Sequence, residues 1–208
     1  MPTDVYLEVG DKRVFACAFD WPGWCRSGRD EEAALNALGE YLPRYAVAAE
    51  HAKLRPPSKE LQVVERLPGS ATTDFGAPGA ISDRDAERLT PAQARKLVAL
   101  VEAAWNVFDD VVAGAPAQLR KGPRGGGRDR DKIVDHVYGA EVAYAGRLGL
   151  KLRQPARGDA RAVAGFRKAV VEALENPVAD ARWPTRYAAR RIAWHALDHA
   201  WEIEDRSE

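Results

Sequence analysis

The chain has 208 residues, 46% of them hydrophobic, and its 31 basic and 31 acidic side chains cancel to a formal net charge of zero. That length suits one or two domains with a sizeable core. The charge balance excludes a dominant electrostatic hold on nucleic acid, and no apolar run approaches the roughly 20 residues of a membrane-spanning helix. In chain order, Val5, Leu7 and Val9 alternate with Tyr6 and Glu8, which predicts a strand. Gly10 and Asp11 signal a turn, and Arg13 to Phe19 read as a second strand, paired as a hairpin with the first. The WPGW stretch, residues 21–24, breaks it, and Cys25 to Ser27 form a short third strand. Asp30 is an N-cap for a helix from Glu31 to about Ala49, with acidic residues in its first turn where the helix dipole favours them. Leu61 to Leu67 read as one more strand, so this part is β-β-β-α-β.

Residues 68–82, PGSATTDFGAPGAIS, are rich in Gly, Pro, Ser and Thr and mark a boundary or a long loop. The expected division is an α+β domain over 1–67, a linker over 68–87 and a four-helix bundle over 88–208. Thr90 with Pro91 starts a helix to about Ala113. The glycine-rich segment RKGPRGGGRDRD, residues 120–131, precedes a second helix, DKIVDHVYGAEVAYAGRLG. Its Arg120, Lys121, Arg124, Arg128 and Arg130 read as a solvated loop, with a lid or anion-holding role as the functional counterpart. A third helix runs from about Asp159 to Glu175 and ends at Asn176-Pro177. The last follows Pro184 and has no internal Pro or Gly: RYAARRIAWHALDHAWEIEDR. On it, Trp194, Leu197 and Trp201 form an apolar stripe, by default core. Trp21 and Trp24 flank a Pro-Gly turn that would pack the two parts together. Cys17 and Cys25 make neither a CxxC motif nor a disulfide framework. The N-terminus has no signal-peptide pattern, so a cytoplasmic location is expected.

The chain has four histidines. His195 and His199 stand at i, i+4, one turn apart on one helix face, with β-carbons roughly 5–6 Å apart. That is close enough to share a metal ion. His136 shares its helix face with Ala140, Ala143 and Arg147, and small neighbours leave room for an ion and what it binds. Two such helices side by side would make a three-nitrogen site with open positions, the pattern of a catalytic metal. The plain alternative is a helix-surface histidine pair. His51, before the Pro-rich KLRPPSKE, reads as surface. Asp135, Glu141, Asp198 and Glu202 are neighbours in sequence, and carboxylates orient the second imidazole nitrogen in metal sites. Glu202 and Tyr144 are the candidate catalytic acid or base. Zinc and nickel are the expected metals, since imidazole suits both.

Residues 88–206 resemble the DinB/YfiT-like superfamily of four-helix bundles, on the segments DHVYGAEVAYAGRLG, RWPTRYAARRIAWH and HALDHAWEIEDR. In that superfamily one histidine from the second helix and two at i, i+4 on the last bind a divalent metal, which implies His136, His195 and His199 here. Its characterised members include thiol-dependent transferases and isomerases that use mycothiol, bacillithiol or glutathione. The resemblance therefore implies a metal-bound thiolate as the attacking group, and a small-molecule thiol and an electrophile as partners. The chain has 23 Arg against 8 Lys, a bias suggestive of the GC-rich genomes of mycothiol-using bacteria, which makes mycothiol the first candidate. The N-terminal part resembles a HicB-like domain, with Pro22, Gly23, Gly28, Glu32 and Ala33 fitting its pattern loosely. Two alternatives follow: a binding or regulatory module built on the HicB-like part, and a metal-dependent hydrolase. A homodimer is left open; membrane and nucleic-acid partners are not expected.

Overall fold

Three strands open the chain, β1 (Thr3–Val9), β2 (Val14–Ala18) and β3 (Cys25–Gly28), each antiparallel to the one before. In the computed structural model, which describes residues 1–122, 126–178 and 181–207, a fourth strand, β4 (Leu61–Pro68), lies on the far side of β1. It runs parallel to β1, giving the order β3-β2-β1-β4. A parallel return needs a crossover, supplied by helices α1 (Glu31–Glu40) and α2 (Leu42–His51). Asp30 caps α1 by accepting from the Ala33 amide at 2.8 Å.

The single helix expected over Glu31–Ala49 is thus two. Pro43 lies in the first turn of α2, where its missing N–H leaves nothing unsatisfied. Inside a continuous helix its ring would meet the carbonyl of Gly39. The order is therefore β-β-β-α-α-β.

Both sheet faces are buried. Val5, Leu7, Val14, Ala16 and Ala18 pack with Ala34, Leu38, Tyr45 and Ala48 of α1 and α2. On the opposite face Tyr6, Phe15, Cys17, Phe19 and Cys25 form a second apolar cluster closed by Trp194. Glu8, also on that face, is 0% exposed. It accepts from the Thr73 hydroxyl and, at 2.9 Å, from the amides of Gly79 and Ala80. These partners come from the segment expected as a linker. That segment forms a five-residue helix, α3 (Ala71–Phe75), and is followed by one 3-10 turn, Asp83–Ala86. Ser70 and Ser82 cap the two starts.

Four long helices follow close to their expected bounds: α4 (Pro91–Gly114), α5 (Arg130–Arg147), α6 (Ala160–Glu175) and α7 (Thr185–Ser207). Thr90 and Gln93 cap α4 reciprocally. Helix α7 packs on α4, α5 and α6. The Trp-Pro-Gly-Trp turn sits against α7. Gly23 has φ 91°, and a β-carbon there would lie 2.6 Å from Leu197 Cδ1. Trp24 is fully buried, donates to the Leu38 carbonyl at 2.9 Å and stacks on Tyr45. Lys96 of α4 places its ammonium 3.8 Å from the Trp21 ring centre, a cation–π contact. One apolar core runs from the strands through α1 and α2 into all four long helices. Among the described residues, no helix is long and apolar enough to cross a membrane.

Candidate metal centre

Helices α5 and α7 lie side by side and bring three imidazoles together. The ring centres of His136 and His195 are 5.1 Å apart, those of His136 and His199 4.9 Å, and those of His195 and His199 4.6 Å. One nitrogen from each ring lies within 4.8 Å of the others. A metal ion bound by imidazoles at about 2.0–2.1 Å in a tetrahedral site holds its nitrogens about 3.3–3.4 Å apart, so the three rings would draw together on binding. Among the described residues the cluster contains no thiol or carboxylate ligand.

The protonation states fit ligation. Burial, and then the neighbouring His199, hold the His136 imidazole below its ordinary range. Burial pushes His195 down much further, helped by His199 and Arg191. Neutral imidazole is the metal-binding form. Nδ1 of His195 is buried with no hydrogen-bond partner among the described residues. A buried orphan nitrogen is costly unless something else satisfies the ring. The donor set, its closeness and this orphan atom all fit a bound divalent cation.

His199 is held from behind. Its Nδ1 donates to Glu202 Oε2 at 2.8 Å, which leaves Nε2 as its free nitrogen. The other Glu202 oxygen accepts from Arg206 Nη1 at 2.6 Å. Its bond to His199 foremost, and Arg206 next, keep the Glu202 carboxyl below its ordinary range. Arg206 also donates to the carbonyls of Arg120 at 2.9 Å and Arg128 at 2.7 Å. Gly127, with φ 114°, lets it pass: a β-carbon there would fall 2.7 Å from the guanidinium. The basic loop is thus tied to the end of α7 beside the triad. Arg124 lies outside the described residues.

Tyr144, one helix face with His136, has its ring 5.7 Å from that of His195 and 5.3 Å from Trp183. Burial raises its phenol above the ordinary value, so it stays protonated at neutral pH. Of the small neighbours of His136, Ala140 is half-buried and Ala143 exposed.

Of the four carboxylates expected near the histidines, only Glu202 reaches one. Asp135 is exposed and pairs with Arg157 at 3.2 Å. Asp198 holds Arg26 of β3 at 2.8 Å. Glu141 faces α4, where it accepts from Trp105 Nε1 at 2.6 Å. His51 is an exposed residue 3.5 Å from Asp110, away from the triad. Two further residues bear on the site: Arg191 and Arg206. Helical spacing points to both, since Arg191 lies four residues before His195 and Arg206 four after Glu202. No family model, no curated protein and no solved structure matches the chain.

Proposed function

We propose that the chain binds one divalent metal ion, zinc or nickel, through His136, His195 and His199, and works as a DinB-like thiol-dependent transferase or isomerase. The observation that carries this reading is the convergence of three imidazoles from two helices, one of them with a buried, unpartnered nitrogen. The resemblance of residues 88–206 supports the thiol chemistry, with mycothiol as the first candidate and an electrophile as the second substrate.

A bound ion would acidify a thiol and polarise the electrophile. The chain's own residues do the remainder. Helix α7 presents His195 and His199 one turn apart, and α5 adds His136 from the side. Glu202 fixes the His199 tautomer and aims its free nitrogen at the other two. Tyr144, protonated and beside His195, is the group positioned to donate a hydrogen bond or a proton to a substrate oxygen. The Trp183 ring lies 5.3 Å from that of Tyr144, and the Trp194 ring 6.0 Å from that of His195.

Metal analysis of protein purified without a polyhistidine tag tests the site. The wild type should carry about one ion per chain, as three nitrogens of one centre require. The variant His195→Ala/His199→Ala should carry almost none, and retention of wild-type content would remove the site from these residues. Thiol chemistry is tested separately by cobalt substitution. Added mycothiol should produce a near-ultraviolet thiolate band. An unchanged spectrum with an exchangeable water would favour a hydrolase, and a closed site would favour a binding module.

A further inference from the structure

The two cysteines lie outside the triad. Cys17 on β2 and Cys25 on β3 are direct cross-strand partners. Such partners have α-carbons about 4.5–5.5 Å apart, inside the ~4.4–6.8 Å window that a disulfide spans. Their Sγ atoms are 2.7 Å apart as free thiols, and the residues are only 2% and 5% exposed. Nothing in their spacing announces this, because the WPGW turn separates them in sequence.

A small cavity is lined by both cysteines. It measures about 10 Å³, room for one water-sized molecule. Its wall includes Tyr6, Cys17, Cys25, Arg190, Arg191 and Trp194. Three of the lining residues carry a donor that is buried without a hydrogen-bond partner among the described residues: Arg190 Nε, Arg191 Nη1 and Trp194 Nε1. Arg190 and Trp194 are 6% and 5% exposed. Three orphaned donors, two of them on guanidinium groups, call for an oxygen acceptor, and thiol sulfur is a weak one.

We propose that Cys17 and Cys25 form a peroxide-reactive dithiol, oxidised to a cross-strand disulfide by a small hydroperoxide admitted to this cavity. One thiol gives up its proton, and its sulfur attacks the nearer peroxide oxygen. An S–O bond forms, the O–O bond breaks, and the departing hydroxide leaves as water with that proton. The second sulfur then attacks the sulfenic sulfur. The S–S bond forms, the S–O bond breaks, and the released hydroxide takes the second thiol's proton as another water. The two thiols lose two electrons, and hydrogen peroxide is reduced to two waters. The N–H groups on the wall hold the peroxide oxygens and stabilise the hydroxide that leaves. Burial, and then Cys17, push the Cys25 thiol up, while Arg26 draws it back. A cavity of this size excludes a bulky disulfide and would widen a little to take hydrogen peroxide, which is larger than one water.

The test uses the reduced full-length protein, treated with hydrogen peroxide, alkylated under denaturing conditions and mapped by mass spectrometry. The expected product is lighter by two hydrogen atoms and has lost both alkylation sites together. It contains a Cys17–Cys25 linked peptide that dithiothreitol reverses. Glutathione disulfide should leave the protein reduced. Trp194→Phe, which keeps an aromatic ring and removes one donor, should oxidise several-fold more slowly. Four results overturn the proposal: thiols still alkylatable after peroxide, sulfinic acids without the linked peptide, equal oxidation by glutathione disulfide, or an unchanged rate in Trp194→Phe.

Discussion

Glu202 joins three parts of the site through one carboxylate: the His199 ring, the Arg206 guanidinium and, through Arg206, the basic loop. Replacing such an outer carboxylate typically weakens metal binding by about 10–100-fold. Glu202→Gln should therefore lower zinc affinity by that factor in a chelator competition, with the fold unchanged. Equal affinity would mean that Glu202 does not position His199. Glu141 stands in contrast, because its side chain turns to α4. Burial raises its carboxyl from 4.5 to about 7, against the pull of Arg167 and Trp105. The folded state keeps a proton that the unfolded state releases between these values, so stability is full below pH 4.5 and falls as pH rises to about 7. The loss is on the order of 3 kcal/mol. Glu141→Gln still offers Trp105 an acceptor and does not titrate. Its stability relative to wild type should rise between about pH 5 and pH 8 in urea unfolding, and a difference that stays flat would rule this account out. At this scale the pairing of His195 with His199 was legible because residues at i, i+4 share one face of a helix, and the convergence of His136 on them followed from the packing of α5 on α7. The direction of Glu141 was not, since neighbours in sequence on a helix can face opposite sides.

The elements that the sequence misdescribed are those whose structure comes from tertiary contact. Helix α3 has five residues, too few to display a helical period, and residues 68–82 therefore read as linker. The segment is fixed by what it covers: Glu8 through Thr73, Gly79 and Ala80, and Arg190 through Asp85. The Arg190–Asp85 pair is bidentate, at 2.6 and 2.7 Å, with the two side chains 6% and 0% exposed. Removing one partner of a buried pair leaves a charge in apolar surroundings and typically costs about 3–5 kcal/mol. Asp85→Ala should destabilise the protein by this amount in urea unfolding. The comparison is Arg66→Ala, which breaks the exposed pair with Glu31 and should cost below about 1 kcal/mol. Similar losses in both would show that the 3-10 turn does not anchor α7. The long helices behaved differently. Thr90 with Pro91, and the Asp159 cap, are local signals that later packing did not override, and those helices begin where their caps place them. The break before Pro43 is the exception among the misdescribed elements: its cause is the local proline, and the single helix expected over Glu31–Ala49 ran through it.

At the scale of the whole molecule, the composition change near residues 68–82 suggests two parts, while the packing joins them through α7. Leu197 and Ala193 meet the Pro-Gly turn at Gly23, Trp194 closes the sheet face that carries Tyr6, Phe15 and Cys17, and Asp198 holds Arg26. Helix α2 also packs on α4. The same α7 carries His195 and His199, so the geometry of the candidate metal centre depends on the sheet that supports this helix from behind. A fragment beginning at residue 83 would expose Ala193, Trp194 and Leu197, which are 0%, 5% and 0% exposed in the whole chain. Each large apolar side chain so uncovered forfeits roughly 1.5–3 kcal/mol, and stability of a domain is only about 5–15 kcal/mol in all. The fragment should keep much of its far-ultraviolet helical signal, lose its near-ultraviolet tryptophan signal and unfold without a cooperative transition, as a loosely packed state does. The full chain should unfold in one transition seen alike by tryptophan fluorescence and by helical circular dichroism. A fragment that unfolds cooperatively and holds one metal ion with wild-type affinity would show instead that the four long helices shape the centre by themselves.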